Sequence, residues 1–152
     1  MKAQLMILAG LLFSSTVWAG PIDQSIDGIL QDYFKIQKAL ASDSTTGIGE
    51  AAQSIYRKAS SIRTTDPQIQ KLLAQVTTAS RDFQASDLEK ARDGFFELSK
   101  PLLVYLNQSY ERKDHYYRYF CSMKQRAWIQ PDEGVRNPYA GQAMPTCGEL
   151  IK

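Results

Sequence analysis

Ile22-Asp-Gln-Ser-Ile26-Asp-Gly-Ile29-Leu-Gln-Asp-Tyr33-Phe-Lys-Ile36-Gln-Lys-Ala-Leu40 repeats its apolar residues at steps of four and three. That spacing places Ile22, Ile26, Ile29, Tyr33, Ile36 and Leu40 on one stripe of a helix, which must be covered by other elements. The helix is expected to end near Ala41. Beyond it, Ser42-Asp43-Ser44-Thr45-Thr46-Gly47-Ile48-Gly49 reads as a loop, because its polar side chains compete for backbone hydrogen bonds and it holds two glycines. A second, Ala-rich helix is expected from about Glu50 to Ile62, presenting Ala52, Ile55, Tyr56, Ala59 and Ile62.

Thr65-Asp66-Pro67 is a helix start: Asp66 can accept from the free first-turn amides, and Pro67 sits where its missing N–H costs nothing. Ile69, Leu72, Leu73, Val76 and Phe83 mark the third helix. Ser86-Asp87-Leu88-Glu89 fits a capping box with Ser86 as the cap. Leu88, Ala91, Phe95, Leu98, Leu102 and Tyr105 then carry a fourth helix to about Tyr110, with a kink expected at Pro101. Four amphipathic helices with short connections predict an all-α, up-down four-helix bundle.

The pattern changes after Tyr110. Half of the 16 aromatic residues (Tyr105, Tyr110, Tyr116, Tyr117, Tyr119, Phe120, Trp128 and Tyr139) lie there or at its threshold. Tyr116–Met123 and Ala127–Gln130 can form short extended segments, and hence a short β-hairpin. Asn137-Pro138-Tyr139-Ala140-Gly141 reads as a turn. The expectation is an irregular, aromatic-rich C-terminal cap at about 112–152, within a single domain spanning 20–152.

Residues 1–19 read as a secretory signal peptide: Lys2, an apolar run from Leu5 to Phe13, then Ser14-Ser15-Thr16 and Val17-Trp18-Ala19 before Gly20. Its removal predicts a periplasmic protein without a membrane span. The charge of the whole chain is +2, with 18 Lys and Arg against 16 Asp and Glu. That near balance argues against a polyanion binder, so no nucleic-acid partner is expected. Arg112, Lys113, Arg118, Lys124 and Arg126 do interleave with Tyr116, Tyr117, Tyr119 and Trp128, but aromatic packing of the cap is the preferred reading. With His115 the single histidine, and no nucleophile–base arrangement, no enzyme is expected.

Once the leader is removed, every sulfur atom falls within 27 residues: Cys121, Met123, Met144 and Cys147. In an extended segment Cys121 and Met123 share a side, and Met144 and Cys147 can converge across a Pro-containing turn. Thiolates and thioethers are soft donors suited to Cu(I) or another soft metal, with His115 as an outer or substitute ligand. The competing reading is a Cys121–Cys147 disulfide, worth roughly 3–4 kcal/mol in the chain-entropy model. The two exclude each other at any instant, although oxidation could gate metal binding. A second class of function follows from the disulfide: a non-catalytic interaction module whose stapled cap offers Tyr119, Trp128 and Tyr139 to a protein partner.

Tyr119-Phe120-Cys121-Ser122-Met123, Trp128, Asn137-Pro138-Tyr139-Ala140-Gly141, Met144 and Cys147-Gly148 resemble the C-terminal signature of a bacterial domain of unknown function. That domain occurs alone and at the C-terminus of CusB-like heavy-metal efflux adaptors. Its pattern runs aromatic-x-Cys-Pro-Met, a Trp, Asn-Pro-Tyr-aromatic-Gly, then Met-x-x-Cys-Gly. Phe95-Phe96-Glu97-Leu98-Ser99 also resembles its Phe-x-x-Leu-Ser helix. Ser122 and Ala140 depart from it, and neither removes a donor. The resemblance implies copper or other heavy-metal handling in the periplasm, efflux components as partners, and Cys121, Met123, Met144 and Cys147 as candidate ligands.

Overall fold

The computed structural model describes residues 21–109 and 115–151. The expected leader, and Arg112 and Lys113, lie outside them. Four helices come first: α1 (Pro21–Ala41), α2 (Ile48–Ser61), α3 (Pro67–Arg81) and α4 (Leu88–Gln108). Three short strands follow, β1 (Tyr117–Cys121), β2 (Arg126–Gln130) and β3 (Glu149–Leu150), with a 3-10 turn at Gly141–Ala143 before the last. The molecule is the expected helical bundle with a short antiparallel sheet as its cap. Among the described residues no helix is long and apolar enough to cross a membrane.

The stripe of α1 behaves as its spacing requires: Ile26, Ile29, Tyr33, Ile36 and Leu40 are all buried, and Ile22 is partly so. The link after α1 is shorter than expected. Gly47 takes a positive φ of 75° and lets the chain turn at once into α2, so Ile48 begins the helix and is buried in the core. Asp66 caps α3 as expected, accepting from the amides of Gln68 and Ile69 at 2.8 and 3.3 Å. The cap of α4 is Asp87 and not Ser86. Its carboxylate accepts from the Lys90 amide at 2.8 Å, while Glu89 pairs with Arg92 at 2.7 Å instead of reaching back. Pro101 is buried within α4, which continues through it to Gln108.

Each helix packs against the next, and β2 packs against both α4 and α1, so the sheet lines the seam between the first and last helices. The strand order is β2-β1-β3. Tyr119 stands opposite Trp128 and Cys121 opposite Arg126 in the hairpin, while Phe120 pairs with Glu149 on the other side. One core runs through bundle and cap, joining Tyr33, Phe95 and Leu98 to Tyr119, Cys121, Trp128, Ile129 and Tyr139. Polar groups stitch it: the Tyr33 hydroxyl bonds to Ser99 Oγ at 2.8 Å and accepts from the Ile129 amide at 3.2 Å. The Tyr139 hydroxyl lies 3.2 Å from the same Ser99 oxygen and donates to the Ala127 carbonyl at 2.9 Å. α1, α4, β2 and the following turn are thereby held at one buried point, where unpaired groups would each be costly.

Candidate thiol site in the cap

The site forms where β1 runs out. Cys121 is the last residue of β1 and fully buried; Cys147 lies two residues before β3, half-buried, on the segment that comes back to pair with β1. Both are free thiols, and their side chains interact directly. The hairpin turn Ser122–Gln125 reverses the chain immediately after Cys121, with Gln125 at a φ of 53°. This turn folds the backbone amides of Met123 and Lys124 over the Cys121 sulfur, and the Met123 amide also reaches Cys147. Burial alone would raise the Cys121 pKa, but the Cys147 thiol, the Lys124 amide, the Asn137 side chain and the Met123 amide together bring it below the ordinary thiol range. Cys147 moves the opposite way, because its proton is held toward Cys121 and its own anion would be partly desolvated beside it. Of the two thiols, Cys121 is therefore the one that ionises first.

Asn137, fully buried, assembles the return segment. Its side-chain oxygen accepts from the amides of Tyr139 and Ala140 at 2.8 and 3.1 Å, and its side-chain nitrogen donates to the Cys147 carbonyl at 2.7 Å. Its own amide donates to the Pro145 carbonyl at 3.0 Å. One carboxamide thus shapes the Asn137–Gly141 turn and holds Cys147 against the end of β1. Gly141 takes the positive φ expected of it, 53°, and a Cβ there would strike Asp43 and Arg92. Arg92 in turn donates to the Pro138 carbonyl at 3.1 Å and to Asp43 at 2.6 Å, tying the turn to α4 and to the loop after α1. Gly148 lets the chain pass over Trp128: a Cβ at that position would lie 2.7 Å from the indole ring. Sequence spacing flagged neither Asn137 nor Gly148 as a site residue; the Asn-Pro and Cys-Gly pairs were the available signals.

The structure brings some predicted residues together and separates others. Met123 lies within the turn and is 72% exposed, because the strand ends at Cys121 and the expected alternation does not extend to position 123. Met144 is half-buried, and its carbonyl accepts from the Cys147 amide at 3.2 Å. His115 is exposed and precedes the other end of β1, about 13 Å of strand away from Cys121. Among the described residues no three His, Cys, Asp or Glu side chains converge on a point. Tyr119, Trp128 and Tyr139 are core residues and not a presented surface: they are 3%, 0% and 1% exposed, with Tyr119 stacked on Trp128 and Tyr139 set edge-on to it. Of the basic residues interleaved with them, Arg118 and Arg126 also pack inward, while Lys124 is exposed. Arg118 is buried and donates to Asn107, and Arg126 lies over the Phe96 ring at 4.8 Å.

Residues 29–114 match the family model of a protein of unknown function, DUF3347. The chain belongs to that family. The DUF3347 match covers the bundle from within α1 past the end of α4 and stops before β1, so all four sulfur residues of the cap lie outside it. No curated protein and no solved structure matches the chain.

Proposed function

We propose that this DUF3347 protein binds a soft metal ion, Cu(I) or one of similar chemistry, through the dithiol of Cys121 and Cys147, as an exported, non-catalytic component of heavy-metal handling. The convergence of the two thiols beneath the Met123 and Lys124 amides carries the reading. Two sulfurs without a third carboxylate or imidazole are a poor site for Mg, Ca or zinc, and suit an ion that prefers thiolate and accepts few ligands. The amides favour the ionised sulfur that metal binding requires. Met123, exposed beside the pair, supplies a thioether that can swing over it, and Met144 supplies a second from the adjoining turn. The resemblance of the cap to the efflux-adaptor signature supports efflux components as the source or recipient of the ion. His115 has no part in the site.

The test is competition for Cu(I) between the reduced full chain and a chromophoric Cu(I) chelator, repeated on Cys121→Ser/Cys147→Ser and on Met123→Leu/Met144→Leu. Loss of competition in the cysteine variant and weakening in the methionine variant are expected. Equal competition by wild type and cysteine variant would overturn the reading. The same proximity of thiols favours a second reading, a disulfide that staples the cap; it predicts no free thiol in protein recovered after export.

A further inference from the structure

The two sulfurs differ in access. Cys121 is fully buried at the end of β1, whereas Cys147 is partly open to solvent on the return segment. We propose that Cys121 and Cys147 form a reversible thiol–disulfide couple, entered through Cys147, whose oxidised state closes the soft-metal site. The closing of the site rests on the metal reading above; the couple itself does not.

The oxidant is an external disulfide, low-molecular-weight or carried by a protein. Cys147 passes its proton to Cys121 and, as the thiolate, attacks one of the oxidant's sulfurs, forming a mixed disulfide and releasing one external thiolate, which then takes that proton from Cys121. The Cys121 thiolate, already beside Cys147, then attacks the Cys147 sulfur and releases the second. Two protein thiols lose two electrons and two protons, and the external disulfide gains them as two thiols. In the reverse direction an external thiolate can reach only Cys147, so Cys121 is the leaving group. The partly exposed Cys147 sulfur keeps the bond within reach of external thiols, which makes the disulfide easier to reduce than one buried on both sides. A bond of that kind is a switch more than a lock. Its closure consumes both thiolates, so the metal and the disulfide compete for the same two atoms.

The experiment equilibrates the full chain across a series of glutathione redox buffers, counts free thiols by mass-shifting alkylation, and measures Cu(I) competition at each point. A single two-electron transition, with Cu(I) bound only on the reduced side, is expected. A brief alkylation pulse on folded, reduced wild type should label Cys147 before Cys121, and glutathione should cap Cys121→Ser at Cys147 faster than it caps Cys147→Ser at Cys121. Labelling of Cys121 first, or the absence of any disulfide across the series, would overturn the couple. Cu(I) binding that survives full oxidation would overturn the gating. A clean redox transition without Cu(I) binding in the reduced protein would remove the metal reading and leave the couple standing.

Discussion

Asn137→Ala should destabilise the fold and, with it, slow the closure of Cys121 on Cys147. The substitution removes an acceptor shared by the Tyr139 and Ala140 amides and the donor to the Cys147 carbonyl, leaving two N–H groups and one C=O without partners. Tyr139 and Ala140 are 1% and 5% exposed, so water cannot easily replace the lost acceptor. Orphaned buried groups cost about 1–3 kcal/mol each, and the half-buried Cys147 carbonyl falls at the low end, which gives roughly 3–7 kcal/mol in total. Against a typical domain stability of about 5–15 kcal/mol, that is a large share. Urea denaturation followed by far-UV circular dichroism reports the bundle, and Trp128 fluorescence reports the cap. Both midpoints should fall together with unchanged slope, because the core is continuous. Under mild oxidant, disulfide formation should slow in the folded fraction, since Cys147 loses its tether. Asn137→Asp keeps an acceptor for the two amides but sets an oxygen against the Cys147 carbonyl, so it should harm disulfide closure more than its hydrogen-bond count suggests. A loss below about 1 kcal/mol for Asn137→Ala, or an unchanged closure rate, would refute the role assigned to this residue.

Asp32 predicts a pH dependence. Burial would raise its pKa, but Lys35 and Lys58, each at 2.6 Å, hold it at about 2 in the folded chain against an ordinary 3.8. The folded value is the lower one, so the stabilisation is complete above about pH 4 and is lost as pH falls from there toward 2, a change of about 2 kcal/mol. Asp32→Asn should flatten that part of the stability curve, and an unchanged slope would contradict it. Gly148→Ala puts a Cβ 2.7 Å from the Trp128 ring and 2.9 Å from Val135. Overpacking of this kind costs about 1–3 kcal/mol, visible as a lower Tm with a shifted Trp128 emission; the absence of both changes would sink the close-approach argument. Met123→Leu, at an exposed position, should leave stability within about 0.5 kcal/mol yet weaken Cu(I) affinity on the order of tenfold, about 1.4 kcal/mol; chelator competition decides, and wild-type affinity would exclude Met123 as a donor.

The helices were legible because each carries a local signal: the stripe of α1 needs only its own spacing, and Asp66-Pro67 marks its helix without reference to anything distant. The misreadings are equally physical. Ser86 and Asp87 are both good caps, and the choice fell to the residue whose carboxylate meets the Lys90 amide. Gly47 looked like loop because glycine usually is, yet its positive φ is what permits α2 to begin at Ile48. β3 was not legible at all: Glu149 and Leu150 are exposed and show no alternation, and the strand exists because the preceding segment is held in place by Asn137. The site was half legible. Cys121 and Cys147 could be paired from their number and the expected compartment, but the role of the Met123 amide could not, since alternation assumed a strand that ends two residues earlier. Tyr119, Trp128 and Tyr139 were assigned to a surface because aromatic clusters serve interfaces and cores alike, and composition does not distinguish them.

The boundary between bundle and cap is sharp in sequence and absent in packing, and that contrast bears on how the site works. The family match ends at residue 114, while the thiols follow it; read along the chain, scaffold and site are separate. In space they are one body, because Ser99 of α4 meets the hydroxyls of both Tyr33 and Tyr139, and Tyr33 also holds the Ile129 amide of β2. The turn that begins at Asn137 carries Tyr139 into this buried cluster and Cys147 toward Cys121 from a single side chain. Any movement that draws Cys147 away from Cys121 must therefore strain Asn137, and through Tyr139 it must disturb a core shared with α1 and α4. A thiol pair so anchored is held in register by the fold, which is what the proposed metal site and the proposed disulfide each require. The cost of holding two sulfurs close is met by packing and hydrogen bonds made by groups other than the thiols themselves.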